Sequence, residues 1–169
     1  MNSNVLNVKS STLKLTYSAM LIGLSFIGSL IKVQGSIAFD SMPGYFAALL
    51  LGPVYGGIVA GIGHLLTALT SGFPLTLPMH LIVGLEMASF GFVFGWMYRK
   101  INTYIAAIVA IILNGAVAAL IAIPISQILG LPLSGWSLFY AIIAPLTITS
   151  TANVVLAFLV YGFLKKRFN

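Results

Sequence analysis

Apolar runs close to twenty residues long follow one another along almost the whole chain, and that pattern leaves few folds open. They form five blocks, Leu13–Ile31, Pro43–Leu69, Met79–Tyr98, Ile101–Ile128 and Leu138–Leu164, in which charged side chains are sparse. A helix of about twenty residues, rising 1.5 Å per residue, matches a hydrocarbon core roughly 30 Å thick. Charged residues make up 6% of the 169 positions, against about a quarter in a soluble domain, so water would not solvate the surface that such a chain exposes. The sequence therefore predicts an all-α integral membrane protein, multi-pass in the cell membrane, with residues 1–169 forming a single transmembrane domain.

The formal charge of +6 comes from eight Lys and Arg against two acidic residues. The basic residues sit at the ends of the apolar blocks instead of forming a stripe, so they mark topology and do not suggest a nucleic-acid partner. Lys9 and Lys14 precede an apolar run from Leu15 to Ile31 that is long for a signal-peptide core and is read as an uncleaved first span. With no cysteine in the chain, disulfides, thiol catalysis and cysteine-bound metals are excluded. The glycine-rich stretch from Gly52 to Gly63 lacks the lysine of a phosphate-binding loop, so the chain does not hydrolyse ATP by itself. There is no His-Glu-x-x-His, and a three-ligand zinc site would need His64, His80 and Glu86 to converge. No catalytic set, metal or cofactor is predicted, and the chain does not read as an enzyme.

Gly52-Pro53 interrupts the second block, because proline lacks an amide donor and restricts the residue before it. The positive-inside tendency decides whether the break makes two helices. With one helix there, Arg99 and Lys100 fall outside; with two, Lys9 and Lys14, Arg99 and Lys100, and Lys165, Lys166 and Arg167 all lie inside. A six-helix bundle follows, spanning 13–31, 42–51, 54–70, 79–99, 102–128 and 138–165, with N and C termini cytoplasmic. Its short second helix cannot cross the bilayer and must be tilted, re-entrant or sheltered. Three segments then face outward, 32–41, 71–78 and 129–137, carrying Phe39, Phe73 and Trp136, as candidate lids.

Polar side chains inside spans normally face the bundle interior or a wet cavity. His64, Glu86, Asn114 and Asn153, on four different helices, lie roughly 11 to 14 residues from the inner helix ends, a common height of about 16 to 21 Å. His80, Gln127 and Tyr140 fall nearer the outer rim. Interhelical hydrogen bonding is one reading of this layer, and ligand contact is the other. Glu86 needs a partner, and His64 or His80 are the candidates by height. Asp40 and Lys32 flank the first outward segment, as a solvated pair or as gating groups. Trp136 fits an interfacial anchor or a stacking platform equally. Close helix approach is signalled by Ala19 and Gly23 on the first helix, and by Gly57, Ala60 and Gly61 on the third.

The six-helix parse, the Ala19-x-x-x-Gly23 pair and Leu51-Gly52-Pro53 before a glycine-rich third helix together resemble the substrate-binding S components of energy-coupling factor (ECF) transporters. The pair is similar to that family's Ala-x-x-x-Ala contact motif, with glycine in place of the second alanine. Within the family, Phe39-Asp40-Ser41-Met42-Pro43-Gly44, the stretch Gly63-His64-Leu65-Leu66-Thr67-Ala68-Leu69-Thr70-Ser71-Gly72-Phe73-Pro74-Leu75, and Glu86 look most like alpha-ribazole transporters. These salvage a precursor of the cobalamin lower ligand.

The resemblance implies a capture subunit for a vitamin-type small molecule, bound on the outer side. It also implies docking through Ala19 and Gly23 on a transmembrane coupling subunit that carries two cytoplasmic ATPases. The candidate substrate-binding residues are Phe39, Asp40, His64, Phe73, His80, Glu86, Asn114, Trp136, Tyr140 and Asn153. A flat benzimidazole would stack on Phe39, Phe73 or Trp136, and ribose hydroxyls would meet the polar layer. One buried carboxylate without a nearby cation suits a neutral or weakly basic solute better than pantothenate or folate. Riboflavin-, thiamin- or pyridoxine-type solutes, or a scaffold subunit with no solute, are the alternatives.

Overall fold

The computed structural model describes residues 10–167, so Lys9 lies outside the described residues. Six helices follow one another: α1 (Ser11–Ser29), α2 (Met42–Leu50), α3 (Pro53–Thr70), α4 (Leu77–Lys100), α5 (Thr103–Ile128) and α6 (Gly135–Arg167). Helices α3, α4, α5 and α6 are each long and apolar enough to cross a membrane. The expected outward segment between α1 and α2 is not a plain loop. It holds a small antiparallel hairpin of β1 (Lys32–Gln34) and β2 (Ile37–Ala38), turned at Gly35 with φ +54°.

The chain breaks between α2 and α3 as the Gly52-Pro53 pair predicts. Gly52 adopts φ +112°, a region costly for any residue with a Cβ, and Pro53 opens α3, where its missing amide proton removes no helical bond. The freed carbonyls at the end of α2 do not go unanswered. The Arg99 guanidinium lies 3.4 Å from the Ala48 carbonyl and 3.3 Å from that of Leu49. Thus the short α2 ends level with the basic end of α4.

Helices α2, α3 and α4 pack backbone against backbone. A Cβ on Gly57 would sit 2.6 Å from the Ala88 carbonyl oxygen, and one on Gly91 would sit 2.8 Å from that of Gly56. Gly56 meets Ala48 on α2 just as closely. Small residues thus act here as the sequence suggested, by letting helices approach. Near the basic end the core is aromatic: Tyr45 and Phe94 meet edge to face at 5.1 Å, and Phe94 meets Phe158 at 5.6 Å.

Helix α5 contains a wide π-turn at Leu113–Val117. Such turns insert a residue and redirect the side chains around them, and this one holds Asn114, buried in the bundle. Beyond the turn α5 and α6 line a cavity. The connection between them closes over Leu131, which is buried with Met79, Ala122 and Leu138.

Candidate functional site

The cavity lies between the β2–α2 segment and helices α3 to α6, and holds about 710 Å³ of atom-free space with its open mouth included. About 80 Å³ of it is open to the centres of water molecules, room for several waters and not a single-water void. One wall is apolar, with Met79, Val83 and Met87 from α4 facing Ala118 and Leu146 from α5 and α6. Polar side chains gather around it. Asp40, His64, His80, Glu86, Asn114 and Asn153, all singled out by sequence, line this one space.

Asp40 is 4% exposed, so it is not half of a solvated pair with Lys32. Lys32 remains outside and donates to the Thr70 carbonyl at 2.9 Å. The Asp40 carboxylate accepts from the Thr67 hydroxyl at 2.5 Å and from the Ser41 hydroxyl at 3.0 Å. Burial pushes its pKa up to about 6, while the Thr67 and Ser41 hydroxyls and adjacent backbone amides hold it from rising further. Its carbonyl accepts from the Ser25 hydroxyl of α1, which lies tight against Gly63. Phe39, half-buried, sets its carbonyl against Gly28, where a side chain would collide.

His64 does not pair with Glu86. Its Nδ1 stands 3.9 Å from the Asp40 carboxylate, and its Nε2 shares a hydrogen bond of 3.2 Å with Nδ1 of His80. The expected Glu–His pair is therefore replaced by an Asp–His–His line, because His64 and His80 face each other across the α3–α4 seam. The two facing ring nitrogens leave no room for an ion between them. Among the described residues no group of three His, Asp or Glu is placed to hold a metal.

Asn153 is spent on the backbone. Its Oδ1 accepts from the Met42 amide at 2.9 Å, and its Nδ2 donates to the carbonyls of Ala38 at 3.3 Å and Thr149 at 3.0 Å. The Ser41 side chain makes no cap to α2, so an α6 side chain supplies the acceptor that the first turn requires. Glu86 is half-buried, and among the described residues its carboxylate meets no hydrogen-bond donor. Asn114 and Ser150 line the cavity floor beside the Tyr45 hydroxyl, and the hydroxyls of Tyr45 and Ser150 are buried without a partner.

Four of the predicted residues do not line the cavity. Trp136 and Tyr140 are 57% and 71% exposed and cluster with Phe139 on the outer face of α6. Phe73, held at φ +52°, packs on the back of His80 with ring centroids 5.9 Å apart. Phe39 is half-buried on the β2–α2 segment, its carbonyl packed against Gly28 of α1. Ser41, Thr149 and Ser150 join the wall without having been singled out. The polar run Thr147 to Asn153 inside an apolar block was the signal for the last two.

A family model described as "ECF transporter, substrate-specific component" matches residues 13–164. The chain belongs to this family. It is a multi-pass membrane protein and a substrate-binding component of a transporter, not a member of an enzyme family. S components of this kind work with a membrane coupling subunit and ATPases. No curated protein and no solved structure matches the chain.

Proposed function

We propose that this S component captures a small neutral or weakly basic vitamin precursor from the outside, with alpha-ribazole the leading candidate. The observation that carries the reading is the meeting of polar side chains from α3, α4, α5, α6 and the β2–α2 segment around one open cavity. Two carboxylates and no Lys or Arg line it, and burying an anionic solute there would leave its charge uncompensated. With Phe39, Phe73 and Trp136 outside the lining, a flat ring is received by Met79, Met87 and Leu146, since thioethers pack well on aromatic faces. Ribose hydroxyls then reach Glu86, Asn114 and Ser150.

The termini face the cytoplasm in this reading. Lys14 lies 5.7 Å from the Tyr55 ring, and Arg99, Lys100, Lys165, Lys166 and Arg167 occupy the last turns of α4 and α6. The positive-inside tendency puts that end inside and the hairpin outside. Ala19 and Gly23 are exposed on α1, and a Cβ on Gly23 would meet nothing within 4 Å. This bare strip is the docking face for the coupling subunit and its two ATPases.

Mass spectrometry of the purified chain tests the reading. A capture subunit releases a stoichiometric small molecule or gains thermal stability with alpha-ribazole, whereas a scaffold carries none and responds to none. Stabilisation by riboflavin, thiamin or pyridoxine but not alpha-ribazole would replace the solute and keep the capture role.

A further inference from the structure

The line from Asp40 through His64 to His80 ends in an atom with nothing to do. Nε2 of His80 is buried and has no hydrogen-bond partner, although His80 belongs to the cavity wall. The rest of the line fixes what that atom is. The 3.2 Å bond between Nε2 of His64 and Nδ1 of His80 holds one proton, so one nitrogen donates and the other accepts. Two polarities are open. If His64 donates to His80, its own Nδ1 turns a lone pair toward the Asp40 carboxylate. If His80 donates, His64 carries its proton on Nδ1, facing that carboxylate at 3.9 Å.

Electrostatics separates the two. The Thr67 and Ser41 hydroxyls both donate to Asp40, which suits an ionised, acceptor-only carboxylate. A lone pair pointed at it is repelled, and an N–H is attracted. Each ring therefore carries its proton on Nδ1, and the far nitrogen of His80 is left bare.

We propose that Asp40, acting through His64, is a positioning residue that holds His80 with Nε2 as an unprotonated hydrogen-bond acceptor in the cavity wall. A solute is then received at this point by an N–H or O–H group, and one offering only acceptors there is rejected. This rests on the capture role proposed above for the same cavity. The carboxylate that sets the polarity sits on the β2–α2 segment while the reading atom sits on α4, so the segment and the wall share one proton network.

The chain has two histidines, which makes the test direct. Full-length protein labelled with ring-15N histidine, carried on a tag free of histidine, is reconstituted without solute and examined by NMR at pH 7.5. Two Nδ1–H rings are expected, opposite to the Nε2–H form that free neutral histidine prefers. Two Nε2–H rings, or a protonated imidazolium in either position, would overturn the proposal. Asp40→Asn, whose amide donates to Nδ1 of His64, is expected to convert both rings to Nε2–H; unchanged tautomers in a folded variant would also overturn it. If the variant does not fold, the wild-type spectrum decides alone. Adding alpha-ribazole separates the two readings. Thermal stabilisation with a moved His80 Nε2 signal supports the contact, and stabilisation with that signal unmoved removes it. No stabilisation strikes the choice of solute while the tautomer result stands.

Discussion

Replacing Asn153 with alanine tests whether the β2–α2 segment is held shut by α6. The variant removes the acceptor for the Met42 amide and the donor for the Ala38 carbonyl. Leaving two buried backbone groups unpaired costs roughly 1–3 kcal/mol each. Water entering from the adjoining cavity recovers part of this, which leaves about 2–3 kcal/mol. If the whole loss falls on the closed position of the segment, the population of open forms rises roughly 30- to 150-fold, at about 1.4 kcal/mol per factor of ten. Cysteine accessibility reads this directly, because the chain has no cysteine of its own. A reporter at Ala38, which is 3% exposed, reacts with a water-soluble maleimide when the segment lifts. Its labelling rate in Asn153→Ala is expected to rise by that factor, with the unfolding midpoint falling by several degrees. A rate within twofold of the parent, at an unchanged midpoint, would refute the view that Asn153 is a clamp.

Three further outcomes follow from the same geometry. Gly23→Leu is expected to abolish uptake in cells while solute binding and thermal stability stay at parental levels, because the position touches nothing in the isolated subunit; equal loss of binding and uptake would refute the docking face. Asp40 has a folded pKa of about 6 against 3.8 for an ordinary aspartate, so its contribution favours the fold most below about pH 4. It is lost as pH rises through 6, at a cost of roughly 3 kcal/mol. Unfolding curves of the parent minus Asp40→Asn should show that fall and level off above pH 7, and a flat difference would count against it. Trp136→Ala is expected to change alpha-ribazole binding less than twofold, measured by calorimetry, since the indole lies outside the cavity.

Helix number and the break at Gly52-Pro53 were legible because hydropathy length and proline chemistry act locally. Counting along the helices also grouped His64, Glu86, Asn114 and Asn153, and these four line one cavity. Counting residues along a helix gives height but not direction around the axis. It therefore did not show that Asn153 turns to the backbone of α2, or that His64 meets His80 instead of Glu86. The hairpin escaped because β2 has two residues, too few for an alternating pattern to register. The π-turn at Leu113–Val117 leaves no mark in composition. Asp40 reads as a loop residue until Ser25, Gly63 and Thr67 are seen to enclose it.

Glycine-to-backbone contact across α2, α3 and α4 has a consequence for altering what the cavity accepts. Where main chains touch, one added methyl must move a whole helix, so this half of the molecule behaves as a rigid anvil. The opposite face is formed by Ala118, Ala122, Ile142 and Leu146. Enlarging or trimming these alters the chamber's width without disturbing the anvil, and redesign for a bulkier or slimmer cargo belongs there.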